Sequence, residues 1–320
     1  MRKISIPNTS LNPSALCMGT GDLGGSIDRE SSYALLDAFR DHGGTFLDTA
    51  KVYSDWIPGE RSRSEKLIGA WLKERGGRAQ VVLATKGAHF DLATPHISRV
   101  TPTDIVSDLE ASLVNLQTDW IDLYWLHRDD PTRPAGEILE TLQAQVQAGK
   151  IRSYGASNWG LARLEEARAY AIQHKLDGFA AVQNLWNLAH VERGAMADQT
   201  IVAMDAELWK FHHRHNLAAI PFSSQANGVF QKLAAGGPAA LRPNLQKVYL
   251  NPVTDQRADR LRELSAQTGL TLTQLVLGYL LSQPFPTIPV FSARNLSQLE
   301  DTLTAAEVRL TPEQVRFLEG

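Results

Sequence analysis

Three apolar runs end on a residue that can move charge or a proton: Phe46-Leu47 on Asp48, Ala84-Thr85 on Lys86, and Tyr124-Trp125-Leu126 on His127. Tyr53 follows the first of them by five residues. A carboxylate, a phenol, an amine and an imidazole form the set that carbonyl reduction needs, because hydride arriving at carbon leaves charge on oxygen that must be protonated as it develops. A free phenol, with a pKa of about 10, is a poor donor near neutrality, but a neighbouring ammonium stabilises the phenolate and lowers that value. Lys86 is therefore expected to tune Tyr53 and Asp48 to hold Lys86 charged and in place. His127 is expected to donate a hydrogen bond to the substrate oxygen. The competing readings are a buried structural ion pair for Asp48 and Lys86 and a satisfied core histidine for His127; Tyr53 beside them favours catalysis.

The elements that must position these residues alternate along the chain. Short apolar runs at 15–19, 45–48, 80–86, 120–127, 151–156, 178–183, 218–222 and 286–290 predict strands. Amphipathic stretches at 31–42, 62–74, 102–116, 135–149, 160–174, 204–215 and 257–282 predict helices, the last broken near Gly269. Pro102 at a first helical turn and Gly43, Gly44 and Gly149 where helices should stop agree with those bounds. Eight strand–helix units predict an α/β fold, a (β/α)8 TIM barrel, as a single domain over residues 1–320. Such a barrel carries its site on the carboxyl ends of its strands. The segment 3–14 is expected to form a small hairpin over the barrel floor, and the long connections 54–61 and 186–200 fall on the functional face.

Length and composition permit this. The chain has 320 residues, 43% of them hydrophobic, with a formal charge of −3 and no basic tract, so nucleic acid is not an expected partner. No apolar stretch of membrane-spanning length occurs and the amino-terminal residues lack the apolar run of a signal peptide, which predicts a cytoplasmic protein. Cys17 stands alone in Ala15-Leu16-Cys17-Met18 and reads as a buried, inert thiol. Nothing in the composition sets the oligomeric state.

These residues resemble the aldo-keto reductase superfamily over nearly the whole chain. The matching pieces are Asp48-Thr49-Ala50-Lys51-Val52-Tyr53, Thr85-Lys86, the segment 119–127, the segment 149–158 and Ala293-Arg294-Asn295-Leu296-Ser297-Gln298-Leu299-Glu300-Asp301. The resemblance implies NADPH as cofactor, a small-molecule carbonyl substrate and a catalytic tetrad of Asp48, Tyr53, Lys86 and His127. It also implies that Ser157, Asn158 and Gln183 grip the nicotinamide carboxamide, with Asp48 close by, and that Phe222 stacks beneath the ring. Ser223, Ser224 and Gln225 then resemble the loop around the pyrophosphate. Arg294 and Gln298 resemble residues that meet the 2′-phosphate and adenine, and Ser292, Asp301 and Thr302 belong to the same segment. Some relatives are channel-associated subunits that hold NADPH and turn over slowly, so a cofactor-binding regulatory subunit is the alternative to an enzyme.

Two other patterns compete for attention. Gly19-Thr20-Gly21-Asp22-Leu23-Gly24 fits the G-x-G-x-x-G dinucleotide fingerprint, but its last glycine should open a helix, and here loop continues to about residue 31. Gly19 and Thr20 are instead expected on the cofactor's side of the barrel mouth and Asp22 on the substrate's. His212, His213 and His215 share one predicted helix with Glu207 but suggest no open ligand shell, so no metal site is expected. Trp56, Trp159 and Trp186 with Arg128 fall in loops of the functional face. Flat apolar walls with hydrogen-bonding groups would suit a sugar-derived, polyhydroxylated aldehyde.

Overall fold

A computed structural model describes all 320 residues. Eight parallel strands follow one another around the sheet: β1 (Cys17–Gly19), β2 (Phe46–Asp48), β3 (Val82–Gly87), β4 (Ile121–Leu126), β5 (Ile151–Ser157), β6 (Ala181–Gln183), β7 (Ala218–Ala219) and β8 (Val290–Phe291). β8 pairs with β1, and the ring closes where Ala219 bridges Thr287 in parallel, with Ile288 N donating to Ala219 O at 2.9 Å. The expected (β/α)8 architecture is the one observed.

The strands read as apolar runs because both faces are covered. Every residue of β4 is buried. Successive side chains alternate, so Leu123 and Trp125 join Cys17, Phe46, Ala84, Ala181, Ala218, Ile220 and Val290 inside the barrel. Tyr124 and Leu126 pack outward under the helices. The same parity sends Asp48, Lys86, His127, Ser157 and Gln183 inward at the carboxyl rim.

Twelve helices surround the sheet: α1 (Arg29–Asp41), α2 (Arg63–Arg75), α3 (Pro102–Leu116), α4 (Ala135–Gln147), α5 (Leu161–His174), α6 (Ala206–His215), α7 (Val229–Gly236), α8 (Pro243–Tyr249), α9 (Pro252–Thr268), α10 (Leu272–Leu281), α11 (Leu296–Leu303) and α12 (Pro312–Glu319). α3 matches its expected bounds because its start is fixed twice, by Pro102 and by the Thr101 side chain, which accepts from Asp104 N. The long carboxyl-terminal stretch breaks at Gly269, whose φ of 73° ends α9 before Thr271 caps α10.

The segment 3–14 forms the expected hairpin, with Lys3 bridging Ser14 and Ile6 N bonding Leu11 O at 2.9 Å. Its Ile6 and Leu11 pack with the inward residues of the strands and close the barrel from below. The thiol of Cys17 is fully buried and its pKa is pushed up by that burial. No helix is long and apolar enough to cross a membrane.

The loop 20–28 separates β1 from α1, and Asp28 rather than Gly24 caps the helix, accepting from Ser31 N. The dinucleotide fingerprint is thus a loop at a barrel mouth. Gly19 is needed there for closeness: a Cβ on it would stand 2.9 Å from Val290 Cγ1.

Candidate active site

Asp48 and Lys86 end β2 and β3 side by side, and both are almost wholly buried. Lys86 Nζ donates to Asp48 Oδ2 at 2.5 Å, to Thr49 O at 2.9 Å and to Tyr53 Oη at 3.0 Å. All three ammonium hydrogens have acceptors. Asp48 Oδ1 receives Trp125 Nε1 at 3.0 Å and Gln183 Nε2 at 3.1 Å, so both of its oxygens are held. Tyr53 sits on the turn beyond β2, where its N–H bonds Ala50 O at 3.0 Å.

The electrostatics follow from burial and this pairing. Burial works against the Lys86 ammonium, but Asp48 and then Tyr53 outweigh it and the pKa rises. Burial raises the Tyr53 phenol, Lys86 pulls it down and Asp48 raises it again, and the net direction is up. Lys86 therefore moderates the Tyr53 pKa without bringing it below its ordinary value, a correction to the expected tuning. His127, with its ring 5.9 Å from that of Tyr53, is held well below the usual imidazole range by burial first and then by Arg128, His89 and Lys86. It is neutral at pH 7, and its Nδ1 is buried with no partner. A neutral imidazole can still donate one hydrogen bond to an oxygen placed beside Tyr53.

At the next rim positions Ser157 Oγ donates to Gln183 O at 2.8 Å. Asn158, at φ 62°, spends its side chain on His127 O, Ser157 Oγ and Val202 N. Gln183 gives its Nε2 to Asp48 and leaves its Oε1 without a protein partner. Thr20 is fully buried, its hydroxyl bonded to Asp48 O and Ser64 Oγ, so it braces the rim from beneath. Phe222 is half-buried past β7; Ser223 has φ 52°, Ser224 Oγ bonds Val290 O at 2.7 Å and Gln225 begins the turn into the next helices. Beyond β8, Ser292, Arg294 and Gln298 are exposed at the start of α11. Gln298 Oε1 accepts from Arg294 N at 2.9 Å, leaving the guanidinium at the surface, 3.6 Å from Asp22. Asp301 receives the Thr273 hydroxyl at 2.6 Å, and Thr302 is buried.

A cleft of about 470 Å³ opens beside Lys86, between the loops that follow β2 and β3. Trp56 lines it, as expected of a wall residue, and packs edge-on to Tyr53 with ring centroids 6.4 Å apart. Trp159 and Trp186 do not, and this corrects their assignment. Trp159 is completely buried against Phe179 behind β5 because the left-handed Asn158 turns the chain at once, and Trp186 packs on Tyr279 and Phe285 in a separate core. Arg128 is tied to His127 O at 2.8 Å and to Asp198 at 2.7 Å, a strap from the loop after β6 to the carboxyl end of β4. Asp22 faces Arg294 instead of lining the cleft.

Sequence reasoning missed His89 and Phe90 on the cleft wall, although an imidazole three residues beyond Lys86 in the same loop was a readable signal. His212 bonds Leu217 O within its own helix end, and His213 and His215 pack on Trp209 and Phe211, so the three do not converge.

The sequence profile of the aldo/keto reductase family matches residues 15–320. The chain belongs to that family. The uncharacterized oxidoreductase YrpG of Bacillus subtilis is 30% identical over 97% of this chain and 92% of its own length. Norsolorinic acid reductase stcV of Emericella nidulans is 28% identical over 99% and 80%, and the aryl-alcohol dehydrogenase [NADP(+)] of Phanerodontia chrysosporium 27% identical over 98% and 83%. Among solved structures, a thermostable aldo-keto reductase in complex with the inhibitor epalrestat superposes with a TM-score of 0.75, at 23% identity, over 100% of this chain and 99% of that one. This aldo/keto reductase is thus similar to oxidoreductases, in a family that acts on small carbonyl compounds with nicotinamide cofactors.

Proposed function

We propose that this aldo/keto reductase uses NADPH to reduce an aldehyde or ketone, sugar-derived in character, and that Tyr53 is the general acid. The observation that carries the reading is Lys86 Nζ standing between Asp48 Oδ2 at 2.5 Å and Tyr53 Oη at 3.0 Å. The residues at hand fit a nicotinamide cofactor. Gln183 Oε1 is an open acceptor beside Asp48, suited to a carboxamide N–H, and exposed Arg294 at the start of α11 suits an anionic phosphate. When bound, the cofactor supplies the hydride.

The chain's own residues do the rest. A carbonyl oxygen between Tyr53 and neutral His127 accepts a hydrogen bond from each. As charge develops on that oxygen, the Tyr53 proton moves to it, and the Lys86 ammonium 3.0 Å away stabilises the phenolate left behind. Asp48 keeps Lys86 charged in a site that water barely enters. The NADP(+) in the name of the Phanerodontia chrysosporium relative supports the choice of cofactor. We also infer that the whole chain is one barrel domain. NADPH consumption across a panel of aldehydes tests the activity. Tight NADPH binding with no turnover on any carbonyl would overturn it in favour of a regulatory subunit.

A further inference from the structure

We propose that His89 selects hydroxylated substrates, its Nε2 accepting a hydrogen bond from a hydroxyl group near the reacting carbonyl, with the free oxygen of Asp55 as a second acceptor farther along the cleft. This rests on the carbonyl-reduction reading above. His89 Nδ1 lies 2.8 Å from Phe90 O, and a carbonyl oxygen can only accept. The hydrogen therefore sits on Nδ1, and Nε2 presents a lone pair. The ring is neutral across physiological pH, its pKa lowered to about 4 by burial and then by Arg128. Nε2 makes no bond within the protein, and the residue lines the cleft.

Position ties this acceptor to the chemistry. The His89 ring packs edge-on against His127 with centroids 4.6 Å apart, and His127 in turn faces Tyr53. A group that meets His89 is thus within a few bonds of an oxygen held by Tyr53 and His127. The charges of the cleft already answer one another. Lys51 and Arg99 both pair with Asp108, at 2.6 and 2.7 Å, and Arg61 pairs with Asp91 at 3.5 Å. Asp55 gives one oxygen to Ser62 N at 2.7 Å and keeps the other. Balanced charge with two free acceptors suits a neutral ligand that donates hydrogen bonds, which is a hydroxylated carbon chain and neither a carboxylate nor a phosphate ester.

The test compares glyceraldehyde with propanal, the same three-carbon aldehyde with and without hydroxyl groups. Wild type should favour glyceraldehyde in kcat/KM. His89→Phe, which keeps a ring against His127 but removes the acceptor, should cut that preference about tenfold, and His89→Gln, which returns an acceptor at the Nε2 position, should restore part of it. Nitrogen-15 NMR of the wild-type histidines, independent of how the variants fold, should find His89 protonated on Nδ1 alone. Equal use of both aldehydes by wild type, an unchanged preference in His89→Phe, or the opposite tautomer overturns the acceptor role while leaving the reductase reading in place. A wild type that turns over none of the carbonyls offered with NADPH overturns that reading, and this inference with it.

Discussion

Asp48 Oδ2 lies 2.5 Å from Lys86 Nζ, and neither side chain has more than a trace of contact with water. An ion pair so placed is costly to break, because removing one partner leaves a buried charge with nothing to answer it. Asp48→Ala should lower the unfolding free energy by about 3–5 kcal/mol in urea titrations at pH 7. The Lys86 pKa is raised in the fold, so the stability it contributes is present below its unfolded value of about 10.4 and lost only as pH climbs through the higher folded one. A loss under about 1 kcal/mol would mean that Thr49 O and Tyr53 Oη satisfy the Lys86 ammonium without the carboxylate.

Tyr53→Phe deletes the phenol and keeps the ring against Trp56 and His127. Turnover with a confirmed carbonyl substrate should fall on the order of 10²–10⁴-fold, while NADPH affinity, read by fluorescence titration, stays near wild type. Near-normal turnover would remove Tyr53 as the acid.

Lys86→Met removes the cation that draws the Tyr53 phenol down while burial and Asp48 push it up. The phenol pKa should then rise further. Alcohol oxidation, which needs the phenolate, should begin at a higher pH than in wild type, and reduction should fall across the whole range. A pH–rate profile that does not move would separate the two residues chemically, whatever their distance.

Arg294 is exposed at the start of α11 with only a 3.6 Å approach to Asp22. Hydrogen bonds to charged groups are worth roughly 1.5–3 kcal/mol, so Arg294→Ala should weaken NADPH binding by about ten- to a hundredfold. NADH, lacking the 2′-phosphate, should change little. Equal losses for both would trace the effect to packing.

Three histidines set the response to acid, His127 and His212 buried and His89 half-buried. His89 and His212 have their pKa values lowered to about 4, and His127 well below the usual value, each chiefly by burial. Between about pH 6.5 and the folded values the unfolded chain binds protons that the fold refuses, so stability falls as pH falls. Each site steepens the slope by up to about 1.4 kcal/mol per pH unit. Urea midpoints between pH 7 and 5 should show this before most carboxylates titrate. His212→Asn, which can still donate to Leu217 O, should be less stable at pH 7 but flatter by one such increment.

Much of this site was legible in the sequence because a barrel strand buried on both faces is apolar until it reaches the rim. Asp48, Lys86 and His127 announce themselves by ending such runs, and side-chain alternation alone turns them inward. What lies past the rim is decided by backbone turns that hydrophobicity does not encode. Trp159 and Trp56 look alike in sequence, yet the left-handed Asn158 carries one behind the barrel and the other remains 55% exposed at the cleft. Four helices went unread. Thr311-Pro312 with Gln314 forms a capping box that could have revealed α12, and Asn295 with Gln298 opens α11, whereas α7 and α8 are short and lack side-chain caps.

The pairing of Cys17 with Val290 sets a timetable for biosynthesis. Strands β1 to β7 can pair with a neighbour soon after each leaves the ribosome, but the seam between β1 and β8 waits until β8 itself has been made, and the entropy of closing so long a loop falls on that one later step. The hairpin at 3–14 needs no such wait. Its strands are a few residues apart, so Ile6 and Leu11 can be in place as a template under the nascent sheet, and destabilising that hairpin should raise aggregation during synthesis more than it lowers the stability of finished protein.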